Sequence, residues 1–428
     1  MDKPGDFLIE EIKSAPCSIR RALSSAREAS RALARRIAES GAVAFIGSGS
    51  SYNAALPASW LLRQRGFPAW VLQACEVKEF GLGLTGAVVP VLISVSGEGE
   101  DIIGAATSIV NSGSPMPGVV CNTPGASLIS FAREKLMLDA GPQRAEAATH
   151  TFLASMAALL QLALDVLEEA GAGGFRPGCS GATECPGSAP LSPVRDAPEP
   201  GAAGEKARKD ELGKMRENLG RLPGIIEGVL KRSLETIPVA ADFLSGRGLK
   251  NLAIVGFGPG YAACLDGALK IKEVAQVFAE AHEGDNVLHG PAYPIVYHKI
   301  PVVILGSTVA EQAGKRLGRF FSQLGCRTVL LERRCPPGPC VSEIETRFEM
   351  VDEGGVSSTG DITRKNAGYN DYLDIGIYDE EIPEVMVPFA GSVPLQLLAY
   401  ELGKRLGLDV DTPPTKASQI QALARCSR

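Results

Sequence analysis

Short apolar runs alternate along the chain with longer segments in which apolar residues recur every three or four positions. A short continuous apolar run predicts a buried strand, whereas the longer spacing predicts a helix with one buried face. Strands are predicted at 42–46, 70–73, 90–94 and 118–121, and helices at 6–40, 54–65 and 147–170. Strands that alternate with helices indicate an α/β unit built on a parallel sheet.

The same pattern returns in the second half of the chain. Residues 252–261 repeat the order of 43–52, and residues 301–305 repeat that of 90–94, at nearly the same offset. Two matching elements at one offset indicate a duplicated α/β unit. Further helices are predicted at 206–245, over 267–278 and from residue 394 onward, and further strands at 328–331 and 384–387.

Residues 171–204 separate the two units and differ from both in composition. Glycine, proline, serine and alanine dominate this stretch. Such a composition buries too little apolar surface to order a chain, which predicts a flexible linker. The predicted domains are therefore 1–170, with the N-terminal helices and the first unit, and 205–408, the second unit, followed by a tail at 409–428.

Serines follow two strands of the first unit, at the points where those strands end. They are Ser48, Ser50 and Ser51 after the first strand, and Ser94 and Ser96 after the third. The carboxyl ends of parallel strands face one crevice, where hydroxyls and the N–H groups of a helix start can bind an anion. Two ordinary turns are the alternative interpretation. Tyr52 stands where a dinucleotide fingerprint has its third glycine, and Gln73 and Ala74 replace an acidic ribose-binding residue, which disfavours a dehydrogenase.

The second unit carries a different set of groups. Lys270 and Glu273 lie one turn apart on a predicted helix, and His289 follows before a Gly-Pro pair. Carboxylates and imidazoles are side chains that move protons in catalysis. A solvated helix face and an ordinary turn histidine are the alternative interpretation of these three residues.

Several runs of residues in both units resemble one family. They are Gly49-Ser50-Ser51-Tyr52, Ser94-Val95-Ser96-Gly97-Glu98, Cys121-Asn122-Thr123-Pro124-Gly125, the run from Ala268 to Glu273, and His289-Gly290-Pro291. These motifs are similar to those of the sugar-isomerase (SIS) family, in particular to the isomerase part of glucosamine-6-phosphate synthase. The resemblance implies two tandem SIS domains, each a flavodoxin-like, five-stranded parallel sheet flanked by helices, in a homodimer whose sites are shared across the interface.

The resemblance also implies roles for individual residues. The five serines match phosphate-binding positions, and Glu273 matches the acid/base that moves a proton between C1 and C2 of the sugar. Lys270 matches a site lysine near that carboxylate, and His289 matches a ring-opening histidine contributed by the neighbouring protomer. Lys416 matches the tail lysine that forms a Schiff base, provided that two residues are deleted from the alignment; without the deletion that position is Ser418.

Three positions of the first unit depart from the family pattern. Val95 replaces a phosphate-binding Gln, Gly99 replaces a Thr, and Ala148 replaces a Ser that contacts the sugar. Each change removes a hydrogen-bonding group, so the affinity for phosphate is the property most affected.

Composition narrows the class of protein. Among the 428 residues 45% are hydrophobic and 21% charged, and the net charge of −6 argues against nucleic-acid or anionic-membrane partners. Because neither a long apolar run nor a signal-peptide pattern is found, a cytoplasmic location is expected. The ten cysteines are expected to be free thiols, with a loop disulfide between Cys335 and Cys340 as the alternative. Their spacings are not those of zinc ligands, so neither a metal nor another cofactor is expected.

These observations predict a phosphosugar isomerase that interconverts aldose and ketose forms of a sugar or amino-sugar phosphate. Deamination, or amination with ammonia from a separate glutaminase, is a further expectation, because no glutaminase domain is recognised in the chain. The alternative is a non-catalytic phosphosugar sensor. The altered phosphate loop favours the sensor, whereas the presence of Glu273 and His289 disfavours it.

Overall fold

A computed structural model of the chain describes residues 6–82, 88–172, 202–245, 248–334, 362–363, 371–379 and 381–412. Most of the predicted linker lies outside these ranges, and so do Lys416, Ser418, Cys335 and Cys340. Predictions about these residues therefore stay predictions. The five cysteines within the described ranges are free thiols, as expected.

The first unit is built on a five-stranded sheet in which neighbouring strands are parallel. Its strands are β1 Ala42–Gly47, β2 Ala69–Gln73, β3 Val88–Ser94, β4 Gly118–Cys121 and β5 Glu134–Met137, in the order β2-β1-β3-β4-β5. The four predicted strands are confirmed. The sequence does not predict β5, because this edge strand buries only Leu136 of its residues.

Helices cover both faces of this sheet. Helices α1 Asp6–Ser25, α2 Arg27–Ser40, α3 Ser50–Gln64 and α6 His150–Ala172 cover one face, and α4 Ala74–Phe80 and α5 Glu100–Asn111 cover the other. Side chains of β1 alternate between the two cores, with Val43 and Phe45 on the first side and Ala44 and Ile46 on the second. Burial on both faces explains why this strand has a continuous apolar sequence.

The second unit repeats the architecture with an added edge. Its strands are β6 Asn251–Gly256, β7 Phe278–Glu283, β8 Val302–Leu305, β9 Thr328–Arg333, β10 Ile362–Thr363 and β11 Tyr372–Tyr378, in the order β10-β11-β9-β8-β6-β7. Five strands are parallel, and the two-residue β10 pairs antiparallel with β11. Its helices are α7 Ala202–Ser245, α8 Tyr261–Lys270, α9 Ala292–His298, α10 Glu311–Gln323 and α11 Val387–Arg405. The predicted fold, two tandem α/β units with five parallel strands each, is confirmed.

The predicted strand at 384–387 is wrong. Residues Glu384–Met386 form a turn of 3-10 helix that leads directly into α11, and the fifth parallel strand is β11 instead. The physical reason is that residues 385–399 are all buried. A helix buried on all sides and a buried strand give the same continuous apolar signal.

The predicted helix over 267–278 ends earlier than its apolar spacing indicates. Helix α8 stops at Lys270, a π-helical turn spans Ile271–Ala275, and Gln276 reverses the chain with a φ of 52°. Phe278, which the spacing places on a buried face, is 67% exposed at the start of β7. Glu273 therefore lies in a π-helical turn, a conformation that is frequent at functional sites.

The two units share one interior, because apolar residues of both belong to a continuous buried cluster. Among the described residues, two helices are long and apolar enough to cross a membrane, within His150–Gly171 and Glu384–Arg405. Their apolar windows are 100% and 89% buried inside the protein. Helix α6 packs on α1, α2 and α3, and α11 packs on α7 and α8, so the apolar character of both helices serves the shared core.

Candidate active site

The five predicted serines line one cavity of about 1040 Å³, which we call the serine cavity. It lies where β1, β3, β4 and β5 end. Strands β1 and β3 are neighbours, yet the chain proceeds from them toward opposite edges of the sheet. Such a reversal of strand order opens the crevice in which doubly wound sheets bind ligands. The fold thus gathers the serines at the position where the sequence predicts a binding site.

The loop after β3 is held in one conformation by its own polar groups. Gly97 has a φ of 68°, and a Cβ atom there would lie 2.6 Å from Cβ of Ala126, so only glycine fits. The hydroxyl of Ser94 accepts a hydrogen bond of 3.0 Å from the N–H of Gly97. The Glu98 carboxylate accepts bonds of 2.8 and 2.7 Å from the N–H and hydroxyl of Ser127, which lower the pKa of Glu98. The loop therefore presents a fixed edge to the cavity.

An acidic side chain lies beside the serine loops. The hydroxyl of Ser48 donates a hydrogen bond to the carboxylate of Asp101, the second residue of α5. A Cβ atom on Gly99 would lie 2.7 Å from Oδ1 of Asp101, so this carboxylate occupies the space that a side chain at position 99 would need. A carboxylate at this place repels a phosphate group. The departure at Gly99 therefore leaves the space beside this loop to the Asp101 carboxylate.

Five further polar side chains line the cavity without being predicted as site residues: Arg21, Asn122, Thr123, Asp139 and Gln143. Arg21 forms a two-point ion pair with Asp139, with N···O distances of 2.8 and 3.2 Å. Asn122 hydrogen-bonds the backbone of the loop after β5 through both of its amide atoms, at 2.8 Å each. No local pattern marks Arg21 or Asp139, because the fold alone brings the two together, whereas Asn122 belongs to one of the runs that resemble the family.

A series of polar side chains leads from the serine cavity into the second unit, with a hydrogen bond at each end and a charge interaction between Asp266 and Lys270 in the middle. The hydroxyl of Ser50 donates to Oδ1 of Asp266 in α8 at 2.6 Å. Asp266 and Lys270 lie one helical turn apart, and each is 1% exposed. The ammonium group of Lys270 donates to the carboxylate of Glu273 at 2.7 Å. The path thus runs from a serine of the cavity to the carboxylate that the sequence predicts as acid/base.

The charges along this path compensate one another. Burial raises the pKa of Asp266 to about 6, while Lys270 and the hydrogen bond from Ser50 act in the opposite direction. A buried ammonium group requires a counter-charge, which Glu273 supplies through its ion pair. The side chain of Glu273 is 34% exposed, so solvent or a ligand can reach this carboxylate.

The structure does not bring every predicted site residue together. Neither Glu273 nor His289 lines the serine cavity, and in the described part of the chain no hydrogen bond or ion pair joins the two. His289 is exposed at the end of the 3-10 helix Gly284–Leu288. Lys416 lies outside the described residues. The catalytic roles of all three residues stay predictions.

The equivalent loop of the second unit is closed by a carboxylate. It follows β8, as the loop of Ser94 follows β3 in the first unit. One oxygen of Glu384 accepts hydrogen bonds from the N–H groups of Thr308 at 2.7 Å and Val309 at 3.1 Å, and a further one from the hydroxyl of Thr308. A phosphate would need the same donors, so the protein itself already uses the anion-binding groups of this loop.

A buried histidine and a buried glutamate support the wall of the serine cavity at residues 139–148. Glu11 accepts hydrogen bonds from the backbone N–H groups of Arg144 and Ala145. Nδ1 of His150 lies 3.8 Å from Oε2 of Glu11, too far for a hydrogen bond. Burial lowers the pKa of His150 to about 4 and raises the pKa of Glu11. The imidazole is therefore neutral at physiological pH.

Comparison with known proteins identifies the domain type of the first unit. Residues 36–165 match the family described as the SIS domain. Along its length the chain is similar to the glutamine–fructose-6-phosphate aminotransferase (isomerizing) of Thermococcus kodakarensis, with 25% identity over 416 residues. The match covers 97% of this chain and 58% of that relative, so the chain spans less than two thirds of the relative's length.

Solved structures share the arrangement of both units. The C-terminal domain of glucosamine-fructose-6-phosphate aminotransferase from Francisella tularensis superposes with a TM-score of 0.71 at 20% identity, over 95% of this chain and 98% of that one. A glucosamine-6-phosphate deaminase from Thermotoga maritima gives a TM-score of 0.62 at 17% identity, over 96% and 98% of the two chains. At these identities the likeness shows the fold.

Proposed function

Since this chain is a tandem SIS-domain protein that resembles the isomerase part of glutamine–fructose-6-phosphate aminotransferases, we propose that it interconverts aldose and ketose forms of a sugar or amino-sugar phosphate. The observation that carries the proposal is the series of polar side chains that leads from Ser50 through the buried Asp266 and Lys270 to Glu273. It supports the proposal because it connects a carboxylate suited to proton transfer with a cavity lined by hydroxyl groups.

In the proposed reaction, Glu273 removes the proton from C2 of the open-chain aldose phosphate and returns it to C1. The hydroxyl at C2 becomes the carbonyl of the ketose, and the carbonyl oxygen at C1 gains the proton that the C2 hydroxyl loses. A carboxylate can act as base in the first step and as acid in the second. Lys270 holds this carboxylate in place through a hydrogen bond of 2.7 Å, and the serine hydroxyls with the start of α3 would hold the phosphate group.

The proposal assigns ring opening to a histidine of a second protomer in a homodimer. His289 is exposed and has no bond to Glu273 of its own chain, which suits a residue that completes a partner's site. An imidazole exchanges protons near neutral pH, as ring opening requires. Lys416 is proposed to form a Schiff base with the open-chain ketose. Deamination, or amination with ammonia from a separate glutaminase, would then proceed at the same site.

The test is the exchange of the C2 hydrogen of hexose and hexosamine 6-phosphates with solvent deuterium, followed by NMR. We expect exchange with at least one of these compounds. Glu273→Gln removes the base and should lower the exchange rate by roughly 10²–10⁴ while binding persists. Glu280→Gln, at a carboxylate of β7 that is 67% exposed, is the matched control and should exchange like the wild type. Equal rates for Glu273→Gln and the wild type would contradict the assigned base.

A phosphosugar sensor is the second candidate function. Val95 in the cavity lining, where the family pattern has a phosphate-binding Gln, favours phosphate binding that differs from that of an isomerase. Calorimetry with the same sugar phosphates separates the two functions. Binding without C2 exchange for any compound would overturn the isomerase and support the sensor.

A further inference from the structure

A second cavity of about 770 Å³ lies among α1, α2, α6 and α7, away from the serine cavity. We call it the arginine cavity, because five of its lining residues are arginines: Arg20, Arg27, Arg31, Arg216 and Arg221. None of its lining residues is acidic, although the whole chain has a net charge of −6. A concentration of positive charge within one concave surface raises the local concentration of anions.

Two of these arginines have no counter-charge in the described part of the chain. Arg216 is already paired, with Asp165 at 2.7 Å and with Glu168 at 2.8 Å. Arg27 and Arg31, both exposed on α2, form no ion pair within the described residues. Their guanidinium groups are therefore available to a ligand from solution.

A buried amide gives an independent indication of a ligand. Gln161 lines the arginine cavity from helix α6 and is only 4% exposed. Its Nε2 atom is buried and has no hydrogen-bond partner. A buried donor without an acceptor costs stability, and an oxyanion in the cavity would supply that acceptor.

The shape of the cavity leaves room for such a ligand. Gly220 and Gly224 line it on α7, and a Cβ atom at either position would meet nothing within 4 Å. Its volume falls in the range of about 300–1,000 Å³ that is typical of small-molecule sites. Arginines approach it from two sides, α1 with α2 on one and α7 on the other.

We propose that the arginine cavity is a second binding site, separate from the serine cavity, for a small molecule that carries at least two oxyanion groups. Guanidinium groups match the geometry of phosphate and carboxylate with paired hydrogen bonds. Two charged groups on the ligand allow it to contact arginines on both sides, whereas a single phosphate contacts one side. Gln161 donates to the same ligand from α6. This site does not depend on the proposed isomerase activity.

The test is calorimetry of the full chain with inorganic diphosphate, inorganic phosphate and citrate, each at one fixed ionic strength because screening weakens exposed charges. We expect diphosphate to bind more tightly than phosphate. Comparison with citrate tells a phosphate ligand from a carboxylate ligand. Arg31→Ala should weaken the binding of diphosphate at least tenfold. Arg35→Ala is the matched control, one turn along α2 and paired with Glu169 outside the cavity, and should leave binding unchanged.

Gln161→Leu tests the buried donor. It should weaken diphosphate binding severalfold without lowering the melting temperature, because it removes a donor that has no partner in the folded protein. Absence of binding for all three anions would overturn the proposal. So would equal losses in Arg31→Ala and Arg35→Ala, or binding that persists in Arg31→Ala and disappears in the double variant Ser51→Ala with Ser96→Ala.

Discussion

The carboxylate of Asp101 opposes a phosphate that approaches Ser48 in the serine cavity. It accepts the hydroxyl hydrogen of Ser48 and adds a negative charge to the loop. Asp101→Asn should therefore tighten the binding of a sugar phosphate by about tenfold, or about 1.4 kcal/mol. Glu100→Gln on the same helix, where the side chain is 59% exposed, is the control and should leave Kd unchanged in calorimetry. Weaker binding by Asp101→Asn would mean that the phosphate does not approach Ser48.

His150 gives the stability of the protein a defined dependence on pH. Burial lowers its pKa from 6.5 to about 4, so between these values the unfolded chain binds a proton that the folded protein does not. The contribution of His150 to stability should therefore fall as the pH decreases from 6.5 to about 4, by up to about 3 kcal/mol. The raised pKa of Glu11 acts in the opposite direction.

A comparison of variants isolates this contribution. Melting temperatures of the wild type and of His150→Leu are measured between pH 7 and about pH 4.5. The difference between wild type and variant should shift in favour of the variant as the pH falls, since leucine binds no proton. His298→Leu, at an exposed position of α9, is the control and should shift less. An unchanged difference for His150→Leu would show that the imidazole is not buried in its neutral form.

Some residues of the candidate site could be predicted from the sequence and others could not. The five serines could be predicted because each lies within a few residues of a strand end, where a local pattern marks it. Arg21 and Asp139 are 118 residues apart, and Ser50 and Asp266 are 216 residues apart. Such contacts depend on the packing of whole elements, for which a single sequence carries no local signal.

Among the elements, those with one clear pattern were predictable, whereas the start of α11 and two edge strands were not. Strands β1 to β4 have short apolar runs with polar ends, and the sequence identifies all four. Helix α11 is buried along its first three turns and more, so its start resembles a strand. The edge strands β5 and β7 were not predicted for the opposite reason. They contain few buried residues, and the alternation of polar and buried positions is too short to be recognised in the sequence.

Glu384, in the turn before α11, should matter for stability and not for ligand binding. It accepts the hydrogen bonds of Thr308 and Val309 in the loop after β8. Glu384→Ala leaves these donors without an acceptor and should lower the free energy of unfolding by roughly 1–3 kcal/mol in chemical denaturation. Glu381→Ala, at an exposed position nearby, should have little effect. A loss of sugar-phosphate affinity in Glu384→Ala would instead place this loop in the binding site.

For the whole molecule, a shared site in a dimer leads to a complementation experiment. Glu273→Gln and His289→Asn chains are co-expressed. If each site takes Glu273 from one protomer and the histidine from the other, a mixed dimer has one site with both native residues. Random pairing then restores about a quarter of the wild-type exchange rate. No recovery in the mixture, with dimers present by sedimentation, would place both residues in one protomer's site.

The duplication of the α/β unit was predictable from the sequence, but the interface between the two units was not. Two matching elements at one offset indicate both sheets, and the serines indicate which copy keeps the cavity. The position of α8 against α3, with Leu269 3.6 Å from a Cβ atom placed on Gly49, follows only from the packed structure. This interface brings Asp266 to Ser50 and so connects the serine cavity with the second unit.

Helix α1 carries Arg20 and Arg21 side by side, and these two residues line different cavities. Any coupling free energy between the occupants of the two cavities would therefore have its shortest route through this helix. Binding of one ligand to each cavity forms a closed thermodynamic cycle, so each ligand changes the affinity for the other by the same factor. If an anion at Arg20 changes the Kd of a sugar phosphate by some factor, the sugar phosphate changes the Kd of that anion by the same factor. The affinity of each cavity for its ligand would then depend on the concentration of the ligand that binds the other cavity.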